Sequence, residues 1–272
     1  MKVAAIQMVS GTDVARNLAA AQGLLEQAVA AGAELAVLPE YFCIMGMKDT
    51  DKLQWQEGRE AGAGKRPIQE FLSESARRLG LWIVGGTLPT ATADPQRARN
   101  TSLAFNPAGE CVAHYDKIHL FRFAQGREDY DETRVLDAGA SPVCFNLPSR
   151  DGHVYRVGMS ICYDLRFPEL YRALASDLLL VPSAFTHTTG QAHWEVLLRA
   201  RAIENMAYVL AAAQGGTHEN GRTTWGHSMV VDPWGEVLAQ QPTGAGVVLA
   251  EVSPARLQDT RRRLPALSHR VL

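Results

Sequence analysis

Short apolar runs with almost no polar interruption recur along this chain: KVAAIQMV (2–9), AELAVLPE (33–40), LWIVGGTL (81–88), DLLLVPSAF (177–185) and AYVLAAAQ (207–214). A strand with one wet face alternates apolar and polar residues, whereas a strand covered on both faces reads as an unbroken run. These runs need cover on both sides, and the segments between them can supply it. Thr12 or Asp13 can cap a helix reaching about residue 31, with Leu18, Leu25, Ala28 and Val29 inward and Gly32 past its end. Pro67 opens a second helix over 67–79 that sets Ile68, Phe71, Leu72 and Leu79 at helical spacing, with Gly80 behind. Further helices are expected from about Pro168 to Ser176 and over roughly 191–206.

The remaining segments read as strands. TSLAFNPAGECVAHYDKIHL (101–120) is two strands about an NPAG turn, and HSMVVDPWGEVLAQ (227–240) is a hairpin about DPWG. VYRVGMSI (154–161) and GVVLAEV (246–252) complete the set. No linker rich in Gly, Ser or Pro divides the 272 residues, which predicts one α/β domain.

Charge and cysteine usage narrow the function classes. A net charge of -2 leaves no electrostatic footprint for nucleic acid, and the one basic run, RRR at 261–263, reads as a solvated face or an interface. Cys43, Cys111, Cys144 and Cys162 lack C-x-x-C spacing, which argues against a zinc site or a disulfide framework and fits a reducing compartment. The eight histidines form no H-E-x-x-H or comparable ligand pattern, so no metal and no cofactor are expected. MKVAAIQMVSGTD is too short in its apolar part for a secretory signal, and no run approaches the ~18 apolar residues of a membrane span. The expectation is a cytoplasmic protein that binds neither membrane nor nucleic acid.

In α/β folds, sites gather at the carboxyl ends of strands. Four strand ends here carry reactive groups: Glu40 after LAVLP, Lys117 after CVAHYD, Cys162 after VGMSI, and SAFTHTTG, with Phe185, after LLLVP. Each also has a plain reading. Glu40 fits a solvated strand end or cap, Lys117 a surface lysine, and Cys162 a small apolar residue finishing a strand. Together they would make a coherent set. A carboxylate takes the thiol proton as sulfur attacks, and a lysine steadies the thiolate and the oxyanion of a tetrahedral intermediate. Such a set suits acyl transfer from an amide through a thioester. Cys43, three residues past Glu40, is placed to border such a pocket, while Cys111 and Cys144 read as packing.

LAVLPEYF (35–42), HYDKIHLF (114–121) and GMSICYDLRFPELYR (158–172) resemble, in order, the three signature blocks of the nitrilase superfamily of carbon–nitrogen hydrolases. Through PSAFTHTTGQAHWEVLLRARAIENMAYVLAAAQGGTH (182–218) and GHSMVVDPWGEV (226–237) the chain looks most like the branch containing deaminated glutathione amidases. The resemblance implies a four-layer α-β-β-α sandwich, two packed mixed sheets flanked by helices, paired with a second copy as a homodimer. It implies Glu40 as general base, Lys117 as oxyanion-stabilising lysine, Cys162 as nucleophile and the Tyr163 N–H as second oxyanion donor. Glu132 matches a further family glutamate that orients the lysine, with Glu128 the alternative because loop length varies here. Arg166 and Thr189 match positions associated with substrate, and Phe185 joins them at the same strand end. An ion pair of Arg166 with Glu169 across one helical turn is the structural alternative.

The implied domain covers residues 1–255, with 256–272 an extended tail at the oligomer interface. The implied reaction is hydrolysis of a small carboxamide, deaminated glutathione to 2-oxoglutarate and cysteinylglycine. An ω-amidase acting on 2-oxoglutaramate and a carbamoyl amidase are the rival activities. A non-catalytic interaction protein on the same fold is the rival of another class. Labelling with iodoacetamide separates that one, since a mere binding module would leave Cys162 no more reactive than Cys111 or Cys144.

Overall fold

The computed structural model describes residues 1–58, 64–126 and 128–271, without the side chain of Glu128. The amino-terminal part contains β1 (Lys2–Gln7), α1 (Val14–Ala30), β2 (Leu35–Val37), α2 (Pro67–Leu79), β3 (Trp82–Val84), β4 (Leu88–Ala91), β5 (Ala98–Phe105) and β6 (Cys111–Asp116). A small ribbon follows, β7 (Arg122–Gln125) with β8 (Glu128–Asp131). The second part contains β9 (Val143–Pro148), β10 (Val154–Met159), α3 (Pro168–Leu174), β11 (Leu178–Leu180), α4 (His187–Asn205) and β12 (Tyr208–Ala211). It closes with β13 (Gly215–Thr217), β14 (Thr223–Trp225), β15 (Ser228–Val231), β16 (Val237–Gln241), β17 (Gly246–Glu251) and α5 (Pro254–Arg263).

Two mixed sheets result. One runs β17-β1-β2-β3-β5-β4 with β6 also on β5, the other β16-β15-β12-β11-β10-β9. Each has a parallel centre, β1-β2-β3 and β10-β11-β12. Period-two alternation sorts their side chains between layers. Val3, Ala5, Leu35 and Val37 point between the sheets and share a core with Leu147, Tyr155, Val157 and Met159. Ala4, Ile6, Ala36 and Ile83 point outward onto Leu25, Ala28, Leu72 and Ala76 of α1 and α2. Leu170, Leu174, Trp194 and Leu198 of α3 and α4 cover the other sheet. The expected α-β-β-α sandwich is the fold. Among the described residues no helix is long and apolar enough to cross a membrane.

Several elements differ from the sequence reading. AELAVLPE keeps only Leu35–Val37 in the ladder, and DLLLVPSAF only Leu178–Leu180, because the chain beyond each leaves its sheet to build loops. Helix α3 stops at Leu174, where Ala175 turns left-handed at φ 46. Helix α4 begins at His187, not 191, with Gly190 N donating to Thr186 O at 2.8 Å. The expected extended tail starts with a helix: Leu257 and Thr260 of α5 are buried, Arg256 binds Asp232 and Arg261 binds Asp177.

LWIVGGTL breaks into β3 and β4, both pairing with the same edge of β5. The cause is a close approach at Gly86, which has φ +45 and where a Cβ would lie 2.0 Å from the Pro39 carbonyl oxygen. The break thus seats the chain that carries Glu40, and Thr87 just beyond it accepts from Tyr41 N at 2.9 Å. Gly86→Ala is expected to cost about 1–3 kcal/mol and to lower kcat by displacing Glu40. Thermal unfolding with steady-state kinetics checks this; wild-type values for both would mean that the Pro39 carbonyl can yield.

Candidate active site

The central strands of both sheets end on the same side of the sandwich, and there the predicted residues meet. Glu40 lies past β2, Lys117 directly after β6, Cys162 past β10 and Phe185 past β11. Glu40, Lys117, Glu132, Cys162, Tyr163, Phe185 and Thr189 line one small chamber with about 10 Å³ of free space, room for a single small group. It adjoins an open cleft of about 820 Å³, with Phe121, Glu132 and Arg222 bordering both.

Lys117 is 1 % exposed and donates to Glu40 Oε1 at 2.9 Å and to Glu132 Oε1 at 3.0 Å, with Oε2 at 2.8 Å. Burial alone would lower the ammonium's pKa, but Glu132 and Glu40 outweigh it and push the value well up. Both carboxylates are held from other sides. Glu40 accepts from Asn100 Nδ2 at 2.9 Å and from Ala184 N at 2.8 Å. Its carbonyl takes a bond from Gln214 Nε2 at 3.1 Å. Glu132, opening a short 3-10 helix after β8, accepts from Tyr41 OH and Phe121 N, each at 2.7 Å. Burial would raise its pKa, yet Lys117, the Phe121 N–H and Lys52 hold the carboxyl below the ordinary value. Glu128, the alternative, heads the ribbon strand opposite Gln125; its side chain lies outside the described residues.

Cys162 opens a 3-10 helix, Cys162–Arg166, with left-handed φ of 48. A non-glycine residue there carries strain and persists only where its surroundings hold it. Cys162 N donates to Pro182 O at 2.9 Å, and the buried Asp164 carboxylate accepts from Ile161 N at 2.8 Å. Tyr115 OH at 2.7 Å and His119 Nδ1 at 2.7 Å also bond Asp164, tying this elbow to the segment that carries Lys117. The Tyr163 N–H, at the start of the helix, has no protein acceptor among the described residues. Burial raises the Cys162 thiol well above its ordinary pKa; Glu40 adds to the rise and Lys117 opposes it. The thiol therefore rests protonated at neutral pH, beside a carboxylate placed to take its proton.

Other candidates fall elsewhere. Arg166 lines neither chamber nor cleft and does not pair with Glu169; its guanidinium lies 3.3 Å from His193 Nδ1, over the rings of Phe185 and Tyr163. Cys43 is packed in the α1–α2 core against Thr87 O and does not border the pocket. Cys111 is exposed, so the packing reading fails there, while Cys144 is half-buried against Leu174 O. Among the described residues no group of His, Cys, Asp and Glu is arranged to hold a metal ion. The sequence reading missed Tyr41, Asn100, Arg222 and the amides of Phe121 and Ala184. Only Tyr41 had a local signal, its place beside Glu40.

Comparison with known proteins agrees with this geometry. The family model described as carbon-nitrogen hydrolase matches residues 2–262. The chain is 41 % identical over 274 residues to a deaminated glutathione amidase of Synechocystis, covering 98 % of this chain and 97 % of that one. It is 35 % identical to an omega-amidase of Danio rerio, covering 99 % and 94 %. The crystal structure of the Caenorhabditis elegans NitFhit protein superposes with a TM-score of 0.88 at 38 % identity, over 99 % of this chain and 64 % of that one. On the whole-length match of model, sequence and fold, the chain belongs to the carbon-nitrogen hydrolase family and is an amidase acting on C–N bonds.

Proposed function

We propose that the chain hydrolyses a small carboxamide through a thioester on Cys162, and that its preferred substrate is deaminated glutathione, giving 2-oxoglutarate and cysteinylglycine. The observation that carries the mechanism is Lys117, buried and bridging Glu40 and Glu132 in the chamber that holds Cys162. Glu40 accepts the thiol proton as Sγ attacks the amide carbon. The Lys117 ammonium and the Tyr163 N–H hold the oxyanion. Collapse expels the amine, which takes the proton back from Glu40. Water then attacks the thioester, Glu40 takes a proton from it, and the acid leaves as the thiol is restored. Glu132 trades no proton; it keeps Lys117 charged and aimed. Thr189 and Phe185 contact the acyl group from the chamber wall, whereas Arg166 reaches a substrate only by giving up His193.

The open cleft supports a leaving group the size of a dipeptide, which favours deaminated glutathione. The likeness to an omega-amidase supports a second reading, 2-oxoglutaramate with ammonia leaving. A kinetic panel decides between them: kcat/KM for deaminated glutathione is expected to exceed that for 2-oxoglutaramate at least about tenfold. The reverse order would make the protein an ω-amidase. We further propose a cytoplasmic homodimer without cofactor, in which exposed Val196, Ile203 and Trp234 and the exposed segment after α5 meet a second copy.

A further inference from the structure

The cleft outside the chamber carries charges that the amide chemistry leaves unused. Lys52, in the 3-10 helix Asp49–Trp55, has a side chain only 12 % exposed, with Nζ 4.6 Å from the centroid of the Tyr41 ring. Its one ion-pair partner among the described residues is the exposed Asp49, at 4.0 Å. Arg222 donates from Nη2 to Ala184 O at 2.6 Å and lies over the Tyr130 ring, with no carboxylate within ion-pair distance among the described residues. Its Nε is buried without an acceptor. The other acids of the same cleft differ: Glu132 is bound by Lys117, Asp129 by Arg134, and Asp131 by Arg122 and Arg134, none of which lines the cleft. Burial lowers the Lys52 pKa, and the Arg222 charge adds to that, against Asp49, Glu132 and Glu40. Lys52 and Arg222 thus line one cavity with little compensation, beside the exposed Lys48, an arrangement that an incoming anion relieves.

We infer that Lys52 and Arg222 form an anion-binding subsite for the carboxylate of the acyl half of the substrate. Arg222 borders both the chamber that holds Cys162 and the cleft, so an anion on it faces the acyl group from the cleft side. A guanidinium presents paired donors to a carboxylate's two oxygens. The subsite keeps the acyl group oriented through both half-reactions, after the amine has left. The inference rests on the amidase reading above for its substrate, though not for its test.

Glutarate, a dicarboxylate of the acyl half's length, serves as the probe. Alkylation of Cys162 by iodoacetamide is followed by peptide mass spectrometry on the full chain. Glutarate is expected to protect the wild type. Its half-protecting concentration should rise about 10–100-fold in Arg222→Gln and Lys52→Gln, the size of a lost hydrogen bond to a charged group. Lys52→Arg should retain most of the protection, and Arg222→Lys, which keeps the charge but loses the fork, should fall between wild type and Arg222→Gln, which separates charge loss from misfolding. No protection of the wild type, equal protection of the Gln variants, or loss of protection in Arg166→Met alone would overturn the subsite. The assay needs no turnover. Protection without hydrolysis of any ω-amide would retain the subsite and discard the amidase mechanism, while hydrolysis without protection would do the reverse.

Discussion

Cys162→Ala is expected to fold as the wild type does and to turn over no amide. The substitution removes one sulfur from a side chain at a chamber wall, so little packing is lost. It also leaves the Cys162 N bond to Pro182 O and the Asp164 bond to Ile161 N in place. Chemistry is another matter, because without sulfur no thioester forms and Glu40 has no thiol to deprotonate. Loss of a nucleophile that works as a unit with its base typically costs about 10⁶ in kcat. Cys162→Ser should be nearly as inactive, since a buried hydroxyl is harder to ionise than a thiol whose own pKa is already raised. Steady-state rates with circular dichroism check both, and most of the activity surviving in Cys162→Ala would end the thioester mechanism.

Lys117→Met is expected to lose both activity and stability. The ammonium lies between two carboxylates, Glu40 at 1 % and Glu132 at 13 % side-chain exposure. Taking it away strands two buried acids, a change that costs about 3–5 kcal/mol when a buried pair is broken. Turnover falls as well, by about 10²–10³ for one lost oxyanion donor. The pH dependence follows from the shifts. Lys117 is raised above 10.5, so its contribution is full below that value and fades as pH climbs through the folded pKa. Glu132 is depressed below 4.5, so its contribution is full above that value and fades as pH falls through the folded pKa. The stability gap between wild type and Lys117→Met should shrink steadily as pH falls from neutral into acid, because the stranded carboxylates of the variant take up protons before those of the wild type, as denaturant unfolding across pH would reveal. A gap that widens below pH 4 would contradict the assignment.

The layers of this fold were legible because strands buried on both faces have no polar side to hide them, and because Pro67 and Gly80 mark the ends of α2. The lengths of site-bearing strands were not. Pro39 lacks an N–H and Tyr41 turns left-handed, so β2 leaves its ladder at Val37 although the apolar run continues. The break at Gly85–Gly86 answers to the Pro39 carbonyl, a neighbour in space that no local pattern announces. The site divides the same way. Glu40, Lys117, Cys162 and Glu132 stood out as strand-end or motif residues, and the fold brings them together. Their holders did not, since Asn100 and the Ala184 amide reach Glu40 from 60 and 144 residues away. Arg222 sat in a turn-like stretch, HENGRTTW, that reads as an ordinary polar loop.

The claim that one carboxylate serves both half-reactions is tested most directly by weighing the Glu40→Gln protein after exposure to an activated ester of the substrate acid. Glutamine keeps the size and can still bond Asn100 and Lys117, but it cannot accept a proton. Acylation survives slowly, because an activated leaving group needs no proton and Lys117 still favours the thiolate. Deacylation loses its only base. Intact-protein mass spectrometry should therefore find one acyl group accumulated and mapped to Cys162. Normal turnover by Glu40→Gln, or an adduct mapped to Cys43, would contradict the account.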